Sequence, residues 1–290
     1  VISLIDPLNF ETEESRHELS ALYEERLKAM GNAGRDGGQY YTPRPLIRVM
    51  VRIVNPRVGE TVYDGACGSG GFLCEAYEYM HAASLRDPKA YRVLQEETFS
   101  GGESQTLPFL AAQMNCILHG LAAPDIRFGD TLARKPADFT DADRKTIVLA
   151  NPPFGAATNA AVAENFMVRT GESAYLFLEH FIEILKPRGR AAVIIKNTFL
   201  SNDDSAASDL RRMLLTKCRL HWVLDLPQKV FAAGVRTVVL FFSKDGPTVE
   251  PVHYYQLDLN GVSLGKTRPI LESDLAEFES FATGQEKPRG

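Results

Sequence analysis

The fold class follows from one stretch of the sequence, Val62-Tyr63-Asp64-Gly65-Ala66-Cys67-Gly68-Ser69-Gly70-Gly71-Phe72-Leu73. A short strand pattern leads into four glycines within seven residues, and a helical pattern follows. Glycines at this place let a ligand approach the backbone closely. The glycine content disfavours an ordinary tight βα turn, and the missing G-x-G-x-x-G spacing disfavours a dinucleotide such as NAD. The stretch therefore predicts a site for a nucleotide-like cofactor.

Strand and helix patterns alternate on both sides of this stretch. Strands are predicted at 61–64, 97–100, 125–128, 146–150 and 191–195, and helices at 11–30, 43–54, from about 71, around 107–119 and at 173–185. Such alternation is typical of βαβ units, so the fold class is α/β with a mainly parallel, doubly wound sheet. Two later runs, 221–226 and 237–243, predict an antiparallel hairpin at the sheet edge.

Length and composition indicate one α/β domain with a small appendage, because 290 residues with 44% hydrophobic content can bury one large core. We expect an N-terminal helical segment (1–55), a catalytic domain (56–245) and a C-terminal extension (246–290). The sequence contains neither a membrane-length apolar run nor a signal-peptide pattern, which predicts a cytoplasmic protein. The four cysteines lack metal-ligand spacing, so no metal is expected.

The formal charge of −5 argues against a protein that grips DNA widely by itself, because phosphate neutralisation demands an excess of lysine and arginine. Either the substrate is not nucleic acid, or another chain supplies the basic surface.

Acidic residues follow two of the predicted strands. Glu103 is placed to accept hydrogen bonds from ribose hydroxyls. It lies 39 residues after Asp64, farther than in compact dinucleotide folds, which we attribute to the long polar stretch at 82–97. Asp130 either accepts a hydrogen bond from an adenine amino group or simply caps a helix.

The most specific feature is Asn151-Pro152-Pro153-Phe154, directly after the apolar strand that ends at Ala150. An exocyclic amine on an aromatic ring is a poor nucleophile, because its lone pair is delocalised. The Asn151 oxygen and the Pro152 carbonyl could accept both amino hydrogens and free that lone pair to attack a sulfonium methyl. Phe154 offers a face for stacking a flipped base. Alone, the segment would mean only a strand terminator; the glycine loop and acidic residue favour catalysis.

Together these segments resemble the amino-methyltransferases. Residues 64–73 look like their cofactor loop, and residues 151–154 look like their [DNS]-P-P-[YFW] catalytic signature. The motif order resembles the gamma arrangement of DNA adenine methyltransferases. More narrowly, the segments 38–45, 114–120, 230–235 and 264–268 are similar to modification subunits of type I restriction-modification systems.

This resemblance implies the class I S-adenosylmethionine-dependent methyltransferase fold and an enzyme that methylates the N6 amino group of adenine in DNA. It implies that the cofactor contacts Gln39, Tyr40, Tyr41, Thr42, Pro43, Arg44, Asp64, Gly65, Gly68, Ser69, Gly70, Gly71, Phe72, Glu103, Asp130 and Thr131. It assigns catalysis to Asn151, Pro152, Pro153 and Phe154, and the target adenine to Asn151, Phe154 and Phe231. Phe231 alternatively belongs to the core of the hairpin.

The resemblance also implies partners: double-stranded DNA, a specificity subunit, a restriction subunit and a second modification subunit. Family members usually carry a helical N-terminal domain and a C-terminal tail that are largely missing here, and the sequence begins with Val1, so we expect a fragment of a longer subunit.

Two other functions stay open. The same chemistry serves an RNA base or a protein glutamine amide, and a non-catalytic subunit could bind the cofactor as a scaffold. Cytosine-C5 methylation is disfavoured, because it needs a cysteine nucleophile and no Pro-Cys dipeptide occurs.

Overall fold

A computed structural model describes residues 41–155, 158–231, 234–265 and 267–285. Its helices are α1 (Arg44–Val54), α2 (Gly71–Ser84), α3 (Pro88–Glu96), α4 (Thr106–Leu118), α5 (Ala160–Ala163), α6 (Ser173–Ile184), α7 (Ser205–Lys217) and α8 (Glu272–Ala282). Its strands are β1 (Val62–Asp64), β2 (Phe99–Glu103), β3 (Asp125–Phe128), β4 (Lys145–Ala150), β5 (Leu185–Lys196), β6 (Arg219–Asp225), β7 (Thr237–Ser243) and β8 (His253–Gln256). The predicted helix at 11–30 lies outside these residues.

The eight strands form one sheet in the order β3-β2-β1-β4-β5-β7-β6-β8. Strands β1 to β5 run parallel to one another, and β7 runs antiparallel to both β5 and β6. The mainly parallel sheet and the antiparallel pair are therefore confirmed. The pair is not at the very edge, because β8 adds to β6 in parallel.

Both faces of the sheet are covered, as a doubly wound fold requires. Val62, Phe99 and Ile147 pack into one buried cluster with α1, α2, α4 and α8. Their strand neighbours Tyr63 and Val148 point to the other face and pack with α6 and α7. This alternation follows from the two-residue period of a strand, which places successive side chains on opposite faces.

Strands β2 and β5 have other bounds than the sequence predicts, and a helix lies where none was predicted. Strand β2 is displaced to the glycine-rich end of its segment, because pairing with β1 and β3 overrides the low strand propensity of glycine. The polar stretch contains α3, which begins where the Asp87 side chain accepts a hydrogen bond from the Lys89 N–H. Strand β5 begins at Leu185, and its pairing with β4 shifts register between Lys145 and Ile147.

In the described part of the chain, no helix combines the length and apolar character that a bilayer crossing requires.

Candidate active site

A cavity of about 330 Å³ opens where the carboxyl ends of β1, β2 and β4 meet. Ligands in open α/β sheets bind at this edge, and the volume falls within the range of small-molecule sites. Three polar side chains face the cavity from these strand ends: Asp64, Glu103 and Asn151.

The folding brings most of the sequence-predicted site residues to this one cavity. Those that line it are Tyr41, Thr42, Arg44, Asp64, Gly65, Gly68, Ser69, Gly71, Phe72, Glu103, Asp130, Thr131, Asn151 and Pro153. Those that are described but do not line it are Pro43, Gly70, Pro152, Phe154 and Phe231. Gln39 and Tyr40 lie outside the described residues. The predicted contacts with a cofactor therefore have a shared space in which to form.

The glycine loop between β1 and α2 is fixed by close backbone packing. Gly68 and Gly70 adopt positive φ angles of 53° and 77°, which side chains disfavour. A Cβ on Gly70 would also lie 3.3 Å from the Ala112 backbone, so α4 can approach the loop. The buried Asn115 of α4 donates its Nδ2 to the Ser69 carbonyl at 2.9 Å. The conformation of the loop is therefore supported by its glycines and by its contacts with α4.

Glu103 ends β2 as the sequence predicts and is buried. Its Oε2 accepts the Gly68 N–H at 2.9 Å, and its Oε1 accepts the Gln105 N–H at 2.8 Å. Burial raises the pKa of this carboxyl, while the backbone N–H groups oppose that shift. Each carboxylate oxygen has a second lone pair, so the group retains capacity for ligand hydroxyls.

Asp64 is the most deeply buried carboxyl of the cavity, with 1% of its surface exposed. Its Oδ1 accepts the Ala66 N–H at 3.1 Å. The pKa of Asp64 is raised to about 8, chiefly by burial and also by the neighbouring Glu103 carboxylate. The raised pKa means that the cavity disfavours two negative charges side by side, so a cationic ligand bound next to these carboxyls would favour their ionised forms.

Asp130 and Thr131 hold the far wall of the cavity. The Asp130 Oδ1 accepts the Leu132 N–H at 2.9 Å and so caps a short 3₁₀ turn, as one of the two interpretations proposed. The Thr131 hydroxyl donates to the Gly65 carbonyl at 2.6 Å. Asp130 also remains exposed at the cavity. Its position is therefore compatible with the second interpretation too, in which it accepts a hydrogen bond from an adenine amino group.

Asn151 follows β4 and is oriented by a residue distant in sequence. Its Nδ2 donates to the Thr42 hydroxyl at 3.0 Å. Its Oδ1 is shielded from solvent and accepts no hydrogen bond from any residue that the structure describes. A buried acceptor without a donor is costly, so this atom is available to a donor from a ligand.

The two aromatic residues of the predicted base site touch each other. The ring centroids of Phe154 and Phe231 lie 6.4 Å apart, and the planes meet at 82°, an edge-to-face contact. Phe231 is buried, as its alternative core role requires. A base can enter between the rings only if they separate.

Sequence reasoning missed several residues of the cavity. Ile47, Gln105, Thr158, Asn159, Ser173 and Phe177 line it in addition to the predicted set. None stands in a motif, and α6 reaches the cavity only because its amino-terminal end points towards β4. Asn115 falls in a segment noted for its resemblance, but its contact with Ser69 depends on the packing of α4.

The protein-family model "N-6 DNA Methylase" matches residues 14–287. The chain is 34% identical over 97% of its length to the methylase subunit of the type I restriction enzyme EcoEI from Escherichia coli, covering 56% of that protein. It is 35% identical over 91% of its length to the EcoKI methylase subunit from Escherichia coli strain K12, covering 53%. A solved chain from a study of complex assembly in the type I restriction-modification system matches with TM-score 0.91 and 34% identity, over 98% of this chain and 58% of that one. The chain thus spans about half the length of the curated relatives it matches.

Proposed function

Because the chain belongs to the N-6 DNA methylase family, we propose that it transfers a methyl group from S-adenosylmethionine to the N6 amino group of adenine in DNA. In this proposal it acts within the modification subunit of a type I restriction-modification system. The observation that supports the proposal most directly is the buried Asn151 Oδ1, to which no described residue donates, on a residue that lines a cavity built around a glycine loop.

The volume of about 330 Å³ and the polar lining of the cavity support binding of S-adenosylmethionine. The Glu103 carboxylate would accept ribose hydroxyls, and the glycine loop between β1 and α2 would admit the methionine portion close to the backbone. Its positive groups would offset the burial that raises the pKa of the Asp64 and Glu103 carboxyls. When bound, S-adenosylmethionine supplies an electrophilic methyl group on a positively charged sulfur.

The chain's own contribution to the chemistry is to change the character of the amino group. The Asn151 Oδ1 would accept one amino hydrogen, since the Thr42 hydroxyl engages the Nδ2 of the same amide and no described residue donates to the oxygen. The Pro152 carbonyl is the proposed second acceptor, and the neighbouring Pro153 carbonyl accepts the Ser173 hydroxyl at 3.1 Å. With both hydrogens engaged, the amine becomes pyramidal and its lone pair is freed for attack.

The test is transfer of a tritiated methyl group to DNA, RNA and protein in parallel, using the full-length protein with its partner subunits. Asn151→Ala should reduce transfer to DNA by at least about 100-fold, since one preorganised transition-state contact is worth about 3 kcal/mol. Calorimetric affinity for S-adenosylmethionine should stay within about threefold, because Asn151 acts on the acceptor. Asn202→Ala, at an exposed site, is the control.

Other outcomes separate the alternatives. Label in RNA or in protein glutamine would show that the methyl acceptor is not DNA adenine. Cofactor binding without transfer to any polymer would favour a scaffold role. Near-wild-type transfer by Asn151→Ala would contradict the mechanism itself.

The proposed partners follow from the family and from the charge of the chain. We propose double-stranded DNA as substrate, read by a specificity subunit, with a second modification subunit and a restriction subunit in the full assembly. The formal charge of −5 supports a requirement for a basic partner.

A further inference from the structure

We propose that Glu172 and Lys196 form a positioning pair that anchors the Phe154 end of the catalytic loop, residues 151–155. This inference rests on the proposed function for the meaning of that loop. Neither residue belongs to a motif, and the two lie on different elements: Glu172 directly precedes α6, and Lys196 ends β5.

The Glu172 carboxylate joins the loop to the sheet through its two oxygens. Its Oε1 accepts the Gly155 N–H at 2.9 Å, and its Oε2 accepts the Lys196 Nζ at 3.1 Å. Both side chains are about one quarter exposed, so the pair is partly shielded from water. Since a charge-assisted hydrogen bond is stronger than a neutral one, the contact restrains Gly155 more than an ordinary turn would.

The loop also has a second anchor from the same end of α6. The buried Ser173 donates its hydroxyl to the Pro153 carbonyl at 3.1 Å. Glu172 and Ser173 therefore hold the backbone on both sides of Phe154, one through a carbonyl and the other through an N–H. Phe154 is consequently fixed by its main chain as well as by its contact with Phe231.

The backbone conformation and the close surroundings of Gly155 both favour a glycine at the anchored position. Its φ of 70° lies in the left-handed region, and a Cβ at this position would lie 3.4 Å from the Lys196 Nζ. Lys196 stands three residues beyond Val193, which pairs with Ala150 at the end of β4. The ammonium group thus reaches the loop from the strand next to the one that the loop follows.

The consequence for the reaction concerns the acceptor base more than the cofactor. The Gly155 N–H and Pro153 carbonyl set the height of Phe154 relative to Asn151, and with it the plane in which a stacked adenine would lie. Loss of the anchor should lower kcat and weaken productive DNA binding, while S-adenosylmethionine affinity should persist because neither Glu172 nor Lys196 lines the cavity.

The first test measures methyl transfer by the complete assembly with four variants. Glu172→Ala should lower kcat roughly tenfold, the effect of one charge-assisted hydrogen bond. Glu172→Gln keeps an acceptor oxygen for Gly155 but loses the ion pair with Lys196, so it should recover only part of that loss. The kcat of Lys196→Met should lie between those of Glu172→Ala and Glu172→Gln. The kcat of Glu164→Ala, at an exposed site of the same region, should match that of the wild type.

The second test does not depend on activity. Residues 151–155 contain only three exchangeable amides, because Pro152 and Pro153 have no N–H. Hydrogen exchange at single-residue resolution should show the Gly155 amide protected in the wild type and exchanging roughly tenfold faster in Glu172→Ala. Glu172→Gln should restore protection.

Three outcomes decide the proposal. Unchanged exchange and unchanged kcat in Glu172→Ala would overturn it, and so would equal losses in Glu172→Ala and Glu172→Gln together with a lowered melting temperature, which indicate a purely structural role. If the wild type transfers no methyl group but Gly155 exchange responds as expected, the anchor stands and the proposed function fails.

Discussion

Asn151 and Glu103 stand at the carboxyl ends of β4 and β2, the strands on either side of β1, and make different contributions to the cavity. Among the described residues nothing donates to the Asn151 Oδ1, whereas both oxygens of Glu103 accept backbone N–H groups around the glycine loop. Under the proposed function, Asn151 would accept from the substrate, and Glu103 would shape the site and accept from ligand hydroxyls. Substitutions should therefore separate methyl transfer from cofactor binding.

Glu103→Ala should weaken S-adenosylmethionine binding about ten- to hundredfold, because it removes a charged acceptor worth about 1.5–3 kcal/mol. Glu103→Gln retains one acceptor oxygen and should lose less. Calorimetric titration of the purified chain measures both, with Glu96→Ala on the exposed face of α3 as the control. Unchanged affinity in Glu103→Ala would rule out its role at the ribose.

At the scale of single residues, the sequence predicts what each side chain can do chemically better than it predicts which residues that side chain contacts. The residue types at 64, 103 and 151 identify what each group can do, because carboxylates and amides have fixed donor and acceptor capacity. The hydrogen bond from Asn151 to Thr42 spans 109 residues, and no local pattern encodes it. No local pattern encodes the hydrogen bond from the Gly155 N–H to Glu172 either.

At the scale of elements, β1 and α6 are joined by a buried polar contact. The Tyr63 hydroxyl lies 3.0 Å from the His180 Nε2, and both side chains are buried. A Cβ on Gly65 would come within 2.9 Å of the same hydroxyl, so this contact also supports the start of the glycine loop. The His180 Nδ1 has no hydrogen-bond partner among the described residues.

His180 should make the stability of the fold depend on pH. Burial, and secondarily the charge of Arg134, lowers its pKa to about 3, whereas an unfolded histidine titrates near about 6.5. Between those values the unfolded chain binds a proton that the folded chain does not, so stability is full above about pH 6.5 and falls as the pH drops. From about pH 7.5 to about pH 5.5 the loss from this group is about 1.4 kcal/mol.

Urea unfolding of the wild type and His180→Phe at both pH values measures this contribution as a difference in pH dependence. The wild type should lose about 1.4 kcal/mol more than the variant over that interval. His253→Gln, at an exposed histidine, should behave like the wild type. Equal pH dependence in the wild type and His180→Phe would show that His180 is protonated in the folded state or already exposed.

Element prediction succeeded where burial imposes a strong pattern and failed where it does not. The apolar run of β4 is buried on both faces from Ile147 onward and was recognisable. Strand β8 is short and mostly exposed, and it exists because β6 offers it an edge. Helix α3 buries only Leu94, so its pattern was too weak to identify.

At the scale of the whole molecule, the distribution of charge limits what the chain does alone. Lysine and arginine total 32 against 37 acidic residues, and several arginines are committed to internal ion pairs. Arg52 bonds Glu279 on α8, and Arg190 bonds Glu60. These groups tie distant elements together and are not free to neutralise phosphates. The division at residues 55 and 245 stays a prediction of the sequence.

The purified chain should therefore bind DNA weakly and without sequence preference. Affinity for a mixed-sequence duplex, measured by fluorescence anisotropy across a salt series, should rise at least about 100-fold when the specificity subunit is added, since each added phosphate contact contributes a salt-dependent gain. Tight, sequence-specific binding by the isolated chain would contradict this expectation and would indicate a recognition surface on the chain itself.

The central claim is methylation of adenine at N6, and nucleoside mass spectrometry tests it most directly. DNA is incubated with the complete assembly and S-adenosylmethionine carrying a deuterated methyl group, then digested and analysed. We predict labelled N6-methyl-2′-deoxyadenosine as the product, absent when Asn151→Ala replaces the wild type. Label in a cytosine derivative, or no labelled nucleoside from an assembly that binds both DNA and S-adenosylmethionine, would contradict the account.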